Sequence, residues 1–234
     1  MTFSEDIRKA VDPIWEASFH HPFVKGIGEG NLSLEQFRYY VLQDSYYLSH
    51  FARVQAMGAA KAEDMKTMAS MASHAQSTYE AEMALHKDFS KRLGITEEER
   101  NQFKPASTAY AYASHMYRGA FFGDLGEIIA TILPCYWLYY EVGAHLQGYK
   151  PKEPIYQDWI AAYGGEWFRK LVEEQIQRLD ELAALKTEAE RERMKELFVI
   201  SSQYEYQFWE MAYQMEEWPF DLKASVNAEK ENKC

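Results

Sequence analysis

A chain of 234 residues that is 47% hydrophobic and 15% aromatic carries enough apolar mass for one sizeable core and is too apolar to stay disordered. Its formal net charge of −11 lacks the basic footprint of a nucleic-acid binder, so no nucleic-acid partner is expected. No apolar run approaches the ~18 residues of a membrane span, no secretory pattern opens the chain, and two cysteines make no disulfide framework, so a cytoplasmic location with no membrane partner is expected.

Helical periodicity runs almost from end to end. The spacing predicts long helices over 3–19, 34–62, 64–93, 108–122, 125–147, 166–185 and 188–217, with short ones over 97–103 and 155–163. Reciprocal caps mark the starts: Thr2 with Glu5, Ser33 with Gln36, Thr96 with Glu99, Thr187 with Glu190, and the looser Asp124 with Glu127. Gly30, Gly94, Gly123, Gly148 and the Gly164-Gly165 pair mark the stops. Pro13 and Pro134 fall inside helical runs and predict kinks. Pro22-Phe23, after His20-His21, reads as a helix end. No strand alternation, repeat or linker interrupts the pattern. Helices in series with short connections predict one all-α bundle over 1–226, followed by a frayed tail over 227–234.

Three polar residues fall inside apolar stripes. Over 34–62, Phe37, Tyr40, Val41, Leu48 and Phe51 share a face, and Asp44 lies in its middle with Tyr47 on the next turn. A carboxylate there is costly unless something pairs with it. It is either bonded to another helix or held for a ligand. Over 188–217, Met194, Phe198, Ser201, Glu205, Phe208 and Ala212 align. Glu205 is either half of a buried ion pair or a general acid whose proton affinity is raised by aromatic surroundings. The small Ser201 and Ser202 would leave room for a ligand beside it. Over 125–147, Ile128, Ile132, Cys135, Tyr139, Val142 and Leu146 align. Cys135 is either a small packing residue or a nucleophile, since the other cysteine, Cys234, ends the chain. Pro134 leaves the carbonyl near Ala130 without its helical partner, and the kink would widen space beside the thiol. Tyr110, Tyr112, Tyr139 and Tyr163 add flat faces with polar tips, which suit a planar heteroaromatic ligand.

Metal and nucleotide chemistry find no support. Glu16 and His20, Glu82 and His86, and Glu141 and His145 are spaced by four, not by the three of a Glu-x-x-His di-iron motif. Zinc spacings, phosphate loops and the Gly-x-Ser-x-Gly elbow are missing.

Several segments together resemble a known family. They are His21-Pro22-Phe23-Val24, the run from Tyr39 to Leu48, the run from Leu133 to Tyr139, Ile155-Tyr156 with Trp159, Tyr163-Gly164-Gly165, and the run from Tyr204 to Trp209. From about Phe3 to Trp218 the chain resembles thiaminase II, the TenA family of aminopyrimidine aminohydrolases. It is most similar to Firmicutes members of the Cys-containing class, which Cys135 marks.

The resemblance implies a haem-oxygenase-like all-α fold, a homotetramer, and neither metal nor organic cofactor. It implies hydrolysis of 4-amino-5-aminomethyl-2-methylpyrimidine to the 5-hydroxymethyl pyrimidine and ammonia, a thiamine-salvage reaction. Thiamine cleavage at the same methylene is implied as a further activity. On the same basis Cys135 is the nucleophile and Glu205 the proton donor. Asp44 binds the amidine-like edge of the pyrimidine, and Tyr139 and Tyr163 contact the substrate. Tyr112 lines the pocket, and Tyr47 tunes the thiol by hydrogen bonding. No cation adjoins Cys135 in sequence to activate it. The competing reading is a pyrimidine-binding or regulatory protein of the same fold that turns nothing over.

Overall fold

A computed structural model describes residues 1–220, without the side chains at 81–83. Residues 221–234, including Cys234 and the expected tail 227–234, lie outside the described residues. The described chain forms α-helices and one π-helical turn, with no strand among the described residues.

The first predicted helix is two. α1 (Phe3–Ala10) and α2 (Asp12–Phe19) meet at Val11, and Pro13 occupies the first turn of α2. Proline is tolerated there because first-turn amides have no helical acceptor. The helix end expected beside Pro22-Phe23 is present, since α2 stops at Phe19, and by the same physics Pro22 also opens a helix that was not expected, α3 (Pro22–Glu29). His21 caps it, accepting from the Phe23 amide at 3.1 Å, and Gly30 ends it at φ 72°. α4 (Leu34–Ala60) follows as predicted. The expected helix 64–93 is divided into α5 (Met65–Ser77), a π turn (Thr78–Glu82) and α6 (Met83–Arg92). Then come α7 (Glu97–Gln102), α8 (Ser107–Phe122), α9 (Leu125–Leu146), α10 (Pro154–Tyr163), α11 (Glu166–Ala183) and α12 (Glu188–Gln214). All five predicted reciprocal caps form.

α9 is the axis of the bundle. It is buried along nearly its whole length, and α4, α8, α10, α11 and α12 pack around it. Such all-round burial requires an all-round apolar helix, and α9 contains no charged residue between Glu127 and Glu141. It continues as one helix through Pro134, and Ser201 Oγ on α12 donates to the Thr131 carbonyl at 2.7 Å, just before that proline. Near its other end, Gly143 lets the end of α10 come against α9. A Cβ at Gly143 would overlap the backbone of Tyr163 and Gly164. That close approach fixes where Tyr163 stands.

Candidate active site

The three polar residues that fall inside apolar stripes converge. α4 brings Asp44, Leu48 and Phe51 to a cavity, and α9 brings Cys135, Tyr136 and Tyr139. Tyr163 ends α10, Phe168 comes from α11, and Thr78 opens the π turn; all three complete the wall. The cavity encloses about 320 Å³ of non-atom space, with the open solvent at its mouth included. Cys135 is half-buried, while Asp44, Tyr139 and Tyr163 are buried. Aromatic rings pack tightly at this wall: Tyr139 and Tyr163 meet edge-on at 4.9 Å between centroids, and behind them Tyr139 lies 4.8 Å from Trp209.

Glu205 stands one layer behind this wall. Tyr112 on α8 donates to Glu205 Oε1 at 2.5 Å. Burial pushes the Glu205 carboxyl up to about 8, against the opposing hydrogen bond from Tyr112 and with help from the nearby Asp44 charge. Glu205 is therefore protonated at neutral pH. Tyr47 packs against Tyr112 at 4.7 Å. Its buried hydroxyl faces that of Tyr112 without an aligned hydrogen bond. Burial raises both tyrosines well above their ordinary range, and the nearby Cys135 and Glu205 push each in the same direction. Thiol, two phenols and a neutral carboxylic acid thus form one electrostatic group.

Behind Asp44 the site is also built. The Tyr40 hydroxyl donates to that of Tyr139 at 3.4 Å and receives Trp159 Nε1 at 3.3 Å. His86 Nε2 lies 2.8 Å from Asp44 Oδ2. This is an ion pair by distance rather than an aligned hydrogen bond.

Cys135, Asp44, Tyr139 and Tyr163 therefore share one cavity, with Glu205, Tyr112 and Tyr47 directly behind it. Tyr110 does not join them; it is 55% exposed on the outer face of α8. Nor do Ser201 and Ser202 make room for a ligand. Ser201 Oγ meets His115 Nε2 at 3.1 Å, and Ser202 Oγ accepts from Trp15 Nε1 at 3.2 Å. The sequence reading missed His86, Thr78 and Phe168 as site residues. Among the described residues no group of three or more His, Cys, Asp or Glu side chains is arranged to hold a metal ion, and no helix is long and apolar enough to cross a membrane.

The chain is similar to known proteins over nearly its full length. It is 62% identical over 218 residues to a Bacillus subtilis protein named aminopyrimidine aminohydrolase, spanning 93% of this chain and 92% of that one. Among solved structures, a TenA homologue from P. horikoshii superposes with a TM-score of 0.85 at 28% identity, over 92% of this chain and 99% of that one. A Shewanella denitrificans domain described as having a heme oxygenase-like fold superposes at 0.72 with 16% identity, over 90% and 92%. The TENA/THI-4/PQQC family pattern matches residues 8–215. With that match across the site and the bundle that carries it, the chain belongs to the TENA/THI-4/PQQC family, in the heme oxygenase-like fold.

Proposed function

We propose that the protein hydrolyses 4-amino-5-aminomethyl-2-methylpyrimidine to the 5-hydroxymethyl pyrimidine and ammonia, as a step of thiamine salvage. The observation that carries this is the Cys135 thiol at an aromatic cavity with a neutral carboxylic acid, Glu205, packed behind it. The name of the B. subtilis relative supports the substrate class.

The thiolate of Cys135 adds to the ring carbon next to the one bearing the aminomethyl group. A carbon–sulfur bond forms and aromaticity is lost. The electron pair then expels the amine from the methylene. Glu205 gives that amine its proton and becomes a carboxylate. Water adds to the methylene, Glu205 takes back a proton from it, and the thiolate leaves as aromaticity returns. One difficult displacement becomes several easier steps. Asp44 receives the ring nitrogen and amino edge. Tyr139 and Tyr163 hold the ring, and Tyr112 and Tyr47 position Glu205 and the thiol. Thiamine has the same methylene with a thiazolium leaving group, so its cleavage follows as a further activity.

The working protein is a cytoplasmic homotetramer. Large exposed aromatics on the outer face of α8 support subunit contact: Phe121 is 68% and Phe122 84% exposed.

Ammonia release from the aminomethyl pyrimidine tests the reading. Wild-type protein should produce it, and Cys135→Ser should lose at least about 10³-fold in turnover while keeping its helical spectrum. A serine variant with more than about a tenth of wild-type turnover, under ~1.4 kcal/mol of barrier, would exclude covalent catalysis by this thiol.

A further inference from the structure

Asp44 sits on α4 among Tyr40, Val41, Tyr47 and Leu48, all of them buried. A carboxylate so placed needs a partner, and α6 supplies one. His86 is 1% exposed. Its Nε2 is 2.8 Å from Asp44 Oδ2, and its Nδ1 is 3.4 Å from Ser45 Oγ. The Ser45 hydroxyl hydrogen is already committed to the Val41 carbonyl at 2.8 Å, so toward His86 that oxygen can only accept. Each ring nitrogen faces an oxygen, and the one at Nε2 belongs to the Asp44 carboxylate. His86 does not line the cavity; it stands behind the carboxylate that does.

The π turn is what brings it there. Met71, His74 and Thr78 lie on the buried face of α5 and the start of the turn, and His86, Phe89 and Ser90 on that of α6. In an unbroken α-helix, with ~100° per residue, Thr78 and His86 would point about 80° apart. The π turn holds roughly one extra residue, which brings the eight-residue step close to a seven-residue one, about 20° from alignment. Thr78 can then face the cavity while His86 faces Asp44.

We propose that His86 is a positioning residue, delivered by the π turn, that holds the Asp44 carboxylate in the orientation that receives the pyrimidine edge. This rests on the reading of Asp44 as the substrate-binding group. In this role His86 acts through the Asp44 carboxylate, so it changes ligand affinity and leaves the chemical steps alone.

The test compares His86→Gln, His86→Asn and His86→Leu, alone and with Asp44→Asn. KM and kcat are measured on the aminomethyl pyrimidine, and Kd on the hydroxymethyl pyrimidine. Glutamine can place its amide where Nε2 stood and should stay within about 3-fold of wild type in KM and Kd. Leucine and the shorter asparagine should raise both by about 10-fold or more, with kcat within about 3-fold. In the Asp44→Asn background the leucine change should add less than about 2-fold, because the two residues act as one unit. If Asp44→Asn weakens binding but His86→Leu and His86→Asn do not, the positioning role is overturned while the reading of Asp44 stands. Equal losses with and without Asp44 overturn it too. If Asp44→Asn binds normally, the reading of Asp44 fails and the inference falls with it. Should the leucine variant not fold, the contrast between glutamine and asparagine decides.

Discussion

Glu205 shows what burial does to a single residue. A carboxyl pushed up to about 8 is an acid at the pH where the cell works, as general acid catalysis requires. Glu205→Gln keeps an acceptor for Tyr112 but has no proton to give. Turnover should fall by roughly 10²–10⁴-fold, with Kd for the hydroxymethyl pyrimidine changed far less. Stability should respond in the opposite sense. The folded carboxyl sits near 8 and the ordinary value is 4.5. Below 4.5 both states hold the proton. Between 4.5 and about 8 only the folded state keeps it, so wild-type stability falls as pH rises through that window. Glutamine removes this contribution. The melting temperature of Glu205→Gln minus that of wild type should therefore climb from pH 5 to 8; a flat difference would mean the carboxyl is not held neutral by the fold. Cys135, Glu205 and Asp44 were legible in the sequence because each breaks an apolar stripe of known helical phase. The two open readings of Asp44 are not exclusive: the structure gives it an inter-helix partner, His86, and a place on the cavity wall. His86 itself was illegible. Its facing depends on the extra residue of a turn that uninterrupted α-periodicity cannot register. Ser201 and Ser202 were misread because small size signals space, whereas their hydroxyls are committed to helix-to-helix bonds.

At the scale of elements, the site depends on how closely α9 and α10 approach. Gly143 lets the Tyr163-Gly164 backbone lie where a Cβ would otherwise be, and the Gln147 side chain ties the Gly164 carbonyl to α9. Gly143→Ala must push α10 outward and carry Tyr163 away from Tyr139. The expected cost is about 1–3 kcal/mol of stability, as for other overpacked cores. Weaker pyrimidine binding should accompany it, read by calorimetry together with thermal unfolding. Normal affinity in a destabilised variant would separate Tyr163 from ligand binding. Most elements were legible because their caps are chemical and local: a Ser, Thr or Asp oxygen three residues before a Glu or Gln states where a helix starts. Proline was ambiguous. Pro22 follows the end of α2 at Phe19 and also begins α3, and Pro13 sits in the first turn of a new helix. Both positions satisfy the same steric rule, and only the preceding backbone decides between them.

At the scale of the whole molecule, α8 has two faces. Tyr112, Met116 and Ala120 point into the bundle, whereas Tyr110, Phe121 and Phe122 are exposed. Large exposed aromatic side chains at the end of a helix suit an interaction surface. If the proposed tetramer of 27.4 kDa chains forms through this face, replacing Phe121 and Phe122 together with Asp should yield smaller species, measured by light scattering after gel filtration. An unchanged mass would place the contact elsewhere. The inner face of this same helix carries the phenol that binds Glu205. Subunit contact and acid strength would then share one element. If copies that meet through this face separate on dilution, α8 would lose its outer support and water would gain access to the layer that keeps Glu205 protonated. A hydrated carboxyl reverts toward its ordinary value and ceases to be an acid at neutral pH. Specific activity would then depend on enzyme concentration, and the molecule would be a competent catalyst only in company.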